Sequence, residues 1–191
     1  MTIPAPAATR GGYGEFIEGL SHNGQELRAA VFNEREVRVA AGLSMTLGAV
    51  ALAFAFFTSV YLPLQLVTAF LFLEFLTRVT AGLNYSPMGR LARWVTHHEP
   101  PQWVSAKPKR FAWSLALLMS LILIVILTSE GRGALPLTMS LIFVSLMWLE
   151  AILGFCLGCE IHGLLVRRGW ATKDEAFEVC ARGACTPETR R

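Results

Sequence analysis

Apolar residues are concentrated in four long segments of the chain, and most polar residues lie between them. The apolar segments span roughly residues 39–61, 63–81, 111–129 and 135–158. A helix needs roughly 20 residues to cross the hydrocarbon core of a bilayer. Each segment has about that length, so the pattern predicts an all-α fold, an integral membrane four-helix bundle. With 53% hydrophobic and 16% charged residues, the 191-residue chain is also too apolar for an ordinary soluble domain.

The remaining polar stretches divide the chain into three regions. Residues 1–31 form a polar N-terminal tail, and the apolar positions within 15–31 are compatible with a short interfacial helix. Residues 32–165 hold the four predicted membrane helices, with Asn33 and Glu36 spaced as a capping box before the first helix. Residues 166–191 form a second polar tail. Because the first 30 residues lack the apolar core of a signal peptide, the N-terminus is expected to be retained.

Lysine and arginine residues are distributed unequally between the two ends of the predicted helices. Basic residues flank the predicted helices at one end: before the first helix, between the second and third, and after the fourth. They include Arg28, Arg35, Arg38, Arg90, Arg93, Lys107, Lys109, Arg110, Arg167, Arg168, Lys173, Arg182, Arg190 and Arg191. The two opposite loops contain only Arg132. Since loops rich in basic residues stay in the cytoplasm, both termini are expected to be cytoplasmic. These charges flank apolar segments, which indicates a lipid bilayer and not nucleic acid as the partner.

The loop between the second and third predicted helices has a helical pattern of its own. Ser86 followed by Pro87 is typical of a helix start. Apolar residues then recur at helical spacing over 88–95, beside two arginines. This pattern predicts a short amphipathic helix on the inner membrane surface, with a solvated loop as the alternative.

Three ionisable residues fall inside the predicted spans. Glu74 and Arg78 stand four residues apart in the second helix, the spacing of a pair on one helical face, and Glu150 lies in the fourth. The topology places all three in the inner half of the bilayer. Since ionisable groups in a membrane are costly, they are expected either to form a charge and proton network or to lock two helices together by an ion pair.

Cys156 and Cys159 lie where the fourth apolar segment ends, at the same inner face. A permanent disulfide is not expected in a reducing cytoplasm. Cysteines three apart in an ideal helix also need local distortion to bridge, which Gly158 is able to supply. These features favour a pair that cycles between dithiol and disulfide. The expected position at a helix C-terminus argues against this, because the negative end of the dipole disfavours a thiolate.

The C-terminal tail adds Cys180 and Cys185. They are candidate exchange partners that receive electrons or sulfur from the membrane pair. A four-cysteine zinc site is the alternative, although the spacing of the tail cysteines departs from that of zinc ribbons. The sequence contains no Walker loop, dinucleotide-binding glycine motif, zinc-protease motif or serine-hydrolase elbow, so nothing in it points to hydrolysis or nucleotide-driven transport.

Several short segments together resemble one bacterial membrane family, domain-of-unknown-function family 4395. They are Phe32-Asn33-Glu34, Val37-Arg38-Val39-Ala40-Ala41-Gly42, Tyr85-Ser86-Pro87, Lys107-Pro108-Lys109-Arg110-Phe111 and Gly154-Phe155-Cys156-Leu157-Gly158-Cys159. The resemblance covers about residues 30–168 and is clearest at the final segment. It implies a four-helix protein of the bacterial inner membrane, with a thioredoxin-like or rhodanese-like protein as partner. The resemblance assigns no catalytic residues.

Three function hypotheses follow from these features. The leading one is a thiol-redox or sulfane-sulfur relay, an accessory to thiol oxidoreductases, in which Cys156 and Cys159 react. The second is a transporter of small solutes or sulfur anions, lined by Gln65 and the three ionisable residues of the spans. The third is a structural or assembly subunit whose cysteines pack or bind zinc. The small residues Gly154 and Gly158 suit close helix packing, either within the bundle or in a homo-oligomer.

Overall fold

The computed structural model describes residues 8–9, 14–17, 20–22, 25–26, 30–129, 132–171 and 188–189. Six α-helices lie in these ranges. They are α1 (Glu34–Thr58), α2 (Leu62–Thr80), α3 (Pro87–Thr96), α4 (Ala106–Ser129), α5 (Ala134–Trp148) and α6 (Leu157–Arg167). A 3₁₀ turn, Leu83–Tyr85, precedes α3, and a π-helical segment, Leu149–Leu153, extends α5.

The fold is mostly helical, but the described residues also contain short strands. These are β1 (Ala8–Thr9), β2 (Phe16–Ile17), β3 (Leu20–His22), β4 (Gln25–Glu26), β5 (Val31–Asn33), β6 (Trp103–Ser105) and β7 (Glu188–Thr189). The expected helical fold is therefore confirmed in the main, and the short strands are the part that the all-α expectation did not include. The short helix allowed for residues 15–31 does not form where that range is described, because short extended segments take its place. Periodicity over so few residues is a weak signal.

The β5–β6 pair connects two distant parts of the chain. The strands are antiparallel, with Phe32 opposite Val104 and Asn33 opposite Trp103. The hydrogen bonding continues into the helix that follows each strand: the backbone N–H of Glu34, the first residue of α1, donates to the carbonyl of Gln102 at 2.7 Å, and that of Ala106, the first residue of α4, donates to the carbonyl of Ala30 at 2.9 Å. Since β5 leads into α1 and β6 leads into α4, this pairing brings the first turns of α1 and α4 together.

The local signals for helix starts are confirmed. The side chain of Asn33 caps α1 by accepting from the backbone N–H of Arg35 at 3.2 Å, and its amide donates to Oε1 of Glu36 at 3.2 Å. The Ser86 hydroxyl caps α3 by accepting from the backbone N–H of Gly89 at 3.0 Å. Side-chain oxygens at these positions satisfy N–H groups that have no partner in the first helical turn.

Four helical segments are long and apolar enough to cross a membrane: Glu34–Thr58, Leu62–Thr80, Ala106–Ser129 and Ala134–Leu153. Among these helices, α1 packs against α2 and α5, and α4 packs against the same two. Large apolar side chains point outwards, including Phe57, which is 82% exposed. Small and hydroxyl-bearing residues such as Ser44, Ser120 and Ser140 are buried between the helices. This inside–outside arrangement is typical of helices that pack within lipid.

Helix α3 forms as predicted and lies against α1. Its buried residues are small, namely Gly89, Ala92 and Thr96. Leu91 and Trp94 are exposed, the latter by 72%. The helix therefore presents an apolar face outwards, which is the feature needed for an interfacial helix. Its position on a membrane surface stays a prediction.

Candidate functional site

The fourth membrane helix ends at Leu153, five residues earlier than the apolar pattern predicts. Gly154 has a positive φ of 65°, a left-handed conformation that glycine adopts without a side-chain penalty. Its backbone N–H donates to the carbonyl of Glu150 at 3.1 Å, and that of Phe155 donates to the carbonyl of Leu149 at 3.1 Å. These bonds close the helix end in the manner of a glycine C-cap. The break therefore lies at Gly154 and not at Gly158.

A second helix, α6, starts directly after this break, and the two cysteines occupy its first turn. Cys156 is extended, with φ −96° and ψ 99°, and is the N-cap of α6. Its Sγ accepts from the backbone N–H of Cys159 at 3.2 Å. The structure joins the two residues as a disulfide, with Cα atoms 5.2 Å apart. The expected position at a helix C-terminus is therefore wrong. The pair lies at a helix N-terminus, where the positive end of the dipole favours a thiolate.

Arg38 of α1 binds the broken end of the fourth membrane helix. Its Nε donates to the carbonyl oxygen of Ala151 at 3.2 Å, and its Nη2 donates to that of Ile152 at 2.7 Å. The last carbonyls of a helix have no partner within the helix, so a cation that donates to them stabilises the end. Arg38 was counted among the basic residues that orient the chain, and this capping role was not predicted from the sequence.

Helix α6 packs closely against the first turns of α4. A Cβ atom added at Gly158 would lie 2.6 Å from both Cα and Cβ of Ala112. Only a residue without a side chain allows this approach. Gly158, which lies between the two cysteines, therefore sets the distance between the cysteine turn and α4, and it does not end or bend the helix.

Glu74 and Arg78 form a buried ion pair within α2, each residue 1% exposed. Arg78 Nη2 lies 2.7 Å from Glu74 Oε1, and its Nε donates to the same oxygen at 2.9 Å. The guanidinium also lies over the rings of Phe75 and Trp113, at 5.1 and 5.9 Å from their centroids. The other carboxylate oxygen of Glu74 accepts from the backbone N–H of Met88 at 3.4 Å. The charges of this pair thus compensate each other inside the protein.

Glu150 belongs to a second ion cluster, centred on Lys109. Lys109 Nζ lies 2.6 Å from Glu150 Oε1 and 2.8 Å from Glu34 Oε2. Lys109 is buried, and the three side chains come from α1, α4 and the π-helical segment after α5. Sequence reasoning placed Lys109 in the loop between the second and third predicted helices, which is expected to be cytoplasmic. The β5–β6 pairing, which connects residues far apart in sequence, instead brings Glu34 to Lys109.

A cavity of about 290 Å³ brings the predicted site residues together. Cys156, Arg78 and Glu150 line it, together with Lys109. Glu74 is not among the lining residues and lies behind Arg78, to which it is bonded. Most of the wall is apolar and is formed by α4, α5 and α6. One cysteine of the pair therefore borders an apolar space that also contains three charged groups.

Among the described residues, Cys159 and Gln65 are not in the lining of this cavity. Cys180 and Cys185 lie outside the described residues. No cluster of three or more His, Cys, Asp or Glu side chains placed to hold a metal ion occurs within the described ranges. Gln65, proposed to line a transport path, donates from Nε2 to the carbonyl of Leu127 at 3.1 Å.

Two residues of the site, Lys109 and Arg38, were not predicted as site residues, although both were counted among the basic residues that orient the chain. Lys109 is the second lysine of a Lys-Pro-Lys-Arg run directly before an apolar segment. A lysine that the structure includes in the first turns of a membrane helix needs a carboxylate partner, and Glu34 stands in the equivalent turn of α1. The matching positions of Lys109 in α4 and Glu34 in α1 are visible in the sequence once both helix starts are known.

Comparison with known proteins gives one family. No curated protein and no solved structure matched the chain. A family described as Domain of unknown function (DUF4395) matches residues 32–167, a stretch that includes all four candidate membrane spans and both cysteines of the disulfide. This match confirms the resemblance found in the sequence, and the chain belongs to that family.

Proposed function

We propose that this chain is a multi-pass protein of the bacterial inner membrane, with both termini in the cytoplasm, whose Cys156–Cys159 pair exchanges electrons with a soluble thioredoxin-like protein. One observation supports this above the others: the pair occupies the first turn of α6, with Cys156 as N-cap and at the wall of a cavity. Cysteines at a helix N-terminus are the arrangement used by reactive dithiols, because backbone N–H groups and the helix dipole stabilise a thiolate there.

The exchange proceeds in two balanced displacements. A thiolate of the reduced partner attacks Sγ of Cys156, and the bond between Cys156 and Cys159 breaks to leave a Cys159 thiolate. The second thiolate of the partner then attacks the partner's first sulfur, which is bonded to Cys156 in the mixed disulfide. This attack forms the partner's disulfide and releases the Cys156 thiolate. Two electrons pass from the partner to the membrane pair, and the two released thiolates take up the partner's two thiol protons. Attack at Cys156 suits this order, because the α6 N-terminus stabilises Cys156 as the leaving thiolate in the second displacement.

The test is a thiol count on full-length protein in detergent. Maleimide mass tagging before and after incubation with reduced thioredoxin is expected to show two additional thiols, mapped to Cys156 and Cys159. Cys156→Ser and Cys159→Ser are each expected to abolish this gain while circular dichroism still reports the helical fold. If reduced thioredoxin and a small dithiol both leave the disulfide intact in folded protein, the proposal is wrong.

The tail cysteines have their own test in the same assay. If they relay electrons between the partner and the membrane pair, the double variant Cys180→Ser/Cys185→Ser slows reduction of the Cys156–Cys159 disulfide by thioredoxin. Its reduction by a small dithiol is expected to continue at the wild-type rate, because a small reagent needs no relay. An unchanged rate with thioredoxin would remove the tail from the mechanism.

Transport of a small solute or sulfur anion is the second candidate function. The buried charges do not favour it, because Glu74 and Arg78 neutralise each other and the Gln65 amide is bonded to a backbone carbonyl. Uptake of labelled sulfate or thiosulfate into proteoliposomes separates the two functions, since electron exchange requires no net flux of solute.

A further inference from the structure

We propose that the cavity beside Cys156 binds the ring of a membrane quinone, which oxidises the reduced Cys156–Cys159 pair. This inference rests on the proposed function, because it supplies the electron acceptor that a cycling dithiol needs. It assigns a ligand to the cavity and explains why a dithiol would lie in a membrane protein, since quinones are dissolved in the bilayer.

The shape and lining of the cavity support a ligand that arrives from the bilayer. Four of its lining residues, Leu118, Ile122, Leu157 and Ile161, are large hydrophobic residues that are 37–52% exposed on the outer surface of α4 and α6. These four exposed lining residues form an apolar mouth of the cavity, and its α4 part belongs to a helix that is long and apolar enough to cross a membrane. A lipid-soluble compound enters such a mouth without leaving the membrane, whereas a charged soluble substrate does not.

The size of the cavity suits a single substituted ring. Pockets that enclose drug-sized ligands measure about 300–1,000 Å³, and this cavity, at about 290 Å³, is at the lower limit. A quinone ring fits within it, while the isoprenoid tail leaves through the apolar mouth and lies along α4. An acyl chain of a phospholipid would also suit the apolar wall. It would, however, leave the disulfide and the charged groups without a role.

The polar part of the wall matches the chemistry of a quinone. Arg78 and Lys109 bring N–H donors to the same space as Cys156, and Glu150 brings a carboxylate. Donors of this kind bind carbonyl oxygens and stabilise the negative charge that develops on them during reduction. Glu150, whose carboxylate accepts from Lys109 at 2.6 Å, carries a proton between the thiol and the quinone oxygen.

The quinone is the only oxidant that the reaction needs, because it accepts both electrons and both protons of the dithiol. The Cys156 thiolate adds to the quinone ring and forms a carbon–sulfur bond. The Cys159 thiolate then attacks Sγ of Cys156, so that the disulfide forms, the carbon–sulfur bond breaks and its electron pair goes to the ring. The two protons from the thiols end on the two quinone oxygens. In sum, a dithiol and a quinone give a disulfide and a quinol, with two electrons transferred.

The experiment uses full-length protein in nanodiscs, reduced, desalted and kept free of oxygen. Ubiquinone-1 is added, and its reduction is followed by ultraviolet absorbance while maleimide tagging counts the remaining thiols. One quinol is expected per disulfide formed, and menadione in a parallel sample shows which class of quinone reacts faster. Leu118→Trp is expected to narrow the mouth and slow the reaction about tenfold, since small misplacements of a reacting group have effects of at least this size.

Leu121→Trp is the matched control, because Leu121 lies on the same helix and is 45% exposed but does not line the cavity. This variant is expected to react at the wild-type rate. Equal slowing by both substitutions, or by neither, overturns the assignment of the cavity. If thioredoxin reduces the disulfide but neither quinone reoxidises the pair, the quinone proposal fails while the proposed function stands. If the disulfide resists thioredoxin and small dithiols as well, both fail.

Discussion

Arg38 and Ile152 are joined by a hydrogen bond of 2.7 Å, in which Nη2 of the arginine donates to the backbone carbonyl of the isoleucine. The bond connects the first turns of α1 to the last turn of the helix that precedes the disulfide. The position of the cysteine turn therefore depends on a residue of the first membrane helix, more than a hundred positions earlier in the chain.

Replacing Arg38 with methionine is expected to lower the free energy of unfolding by about 1.5–3 kcal/mol, because hydrogen bonds from a charged donor have this value. The substitution keeps most of the side-chain volume and leaves the carbonyls of Ala151 and Ile152 without their donor. Thermal unfolding in detergent measures the loss. Maleimide labelling of the reduced protein is expected to become faster at both cysteines, since the turn that holds them loosens.

Arg35→Met is the matched control for Arg38→Met. Arg35 lies in the same region of α1 and pairs with Glu99, whose side chain is 52% exposed. Ion pairs with exposed partners contribute about 0–1 kcal/mol, so this variant is expected to remain close to wild type. If the two variants lose the same stability, Arg38 acts only through its charge and not as the cap of the broken helix.

Two glycines of α6 are expected to respond oppositely to alanine. At Gly158 the added Cβ would meet the backbone of Ala112 at 2.6 Å, so Gly158→Ala is expected to cost about 1–3 kcal/mol as α4 and α6 separate. A Cβ added at Gly163 would have no neighbouring atom within 4 Å, so Gly163→Ala is expected to stabilise the helix by about 0.5–1 kcal/mol. Unfolding midpoints of the two variants check the prediction. Two shifts of the same sign would contradict it.

Lys109 is expected to be the most sensitive member of its ion cluster. Lys109→Met leaves the buried carboxylate of Glu34 and the half-buried carboxylate of Glu150 without a cation, and the loss is expected to reach about 3–5 kcal/mol. Glu150→Gln leaves a neutral pair of Glu34 and Lys109 and is expected to cost less. Unfolding in detergent ranks the two variants. A larger loss for Glu150→Gln would mean that the charge balance of the cluster does not govern its stability.

The two cysteines are expected to differ in reactivity after reduction. Cys156 borders the cavity and caps α6, whereas Cys159 is not among the residues that line it. Alkylation of Cys156 by iodoacetamide is therefore expected to be about tenfold faster, because the thiolate is the reacting form and the helix N-terminus stabilises it. Mass spectrometry of singly alkylated peptides gives the ratio. Equal rates would show that the helix N-terminus does not activate Cys156.

The features that depend on nearby residues could be predicted from the sequence. The four apolar segments of the sequence correspond to the four long helical segments of the structure. They could be recognised because a helix that crosses a bilayer needs an apolar run of about 20 residues. The capping roles of Asn33 and Ser86 follow from side chains that bond to backbone groups within three residues. The Glu74–Arg78 pair follows from helical periodicity within α2.

The features that depend on distant residues could not be predicted in this way. The helix ends at Gly154 and not at Gly158, although both are glycines in an apolar run. The end at Gly154 is stabilised by Arg38, and the close contact at Gly158 is made by Ala112, so only the assembled helices distinguish the two positions. This difference decides whether the cysteines lie in the last turn of one helix or in the first turn of the next. It therefore decides whether the negative or the positive end of a helix dipole is close to the thiols.

The short β5–β6 ladder also restricts how many times the chain crosses the membrane between the two strands. Two strands that exchange backbone hydrogen bonds must lie on one side of a bilayer, so α1 and α4 must begin on that side. The chain between them therefore crosses an even number of times. A molecule in which only one of α1 and α2 crossed the membrane would place β5 and β6 on opposite sides and would be unable to close the ladder. Three residue pairs thus connect correct backbone pairing to correct membrane insertion, independently of the charges in the loops.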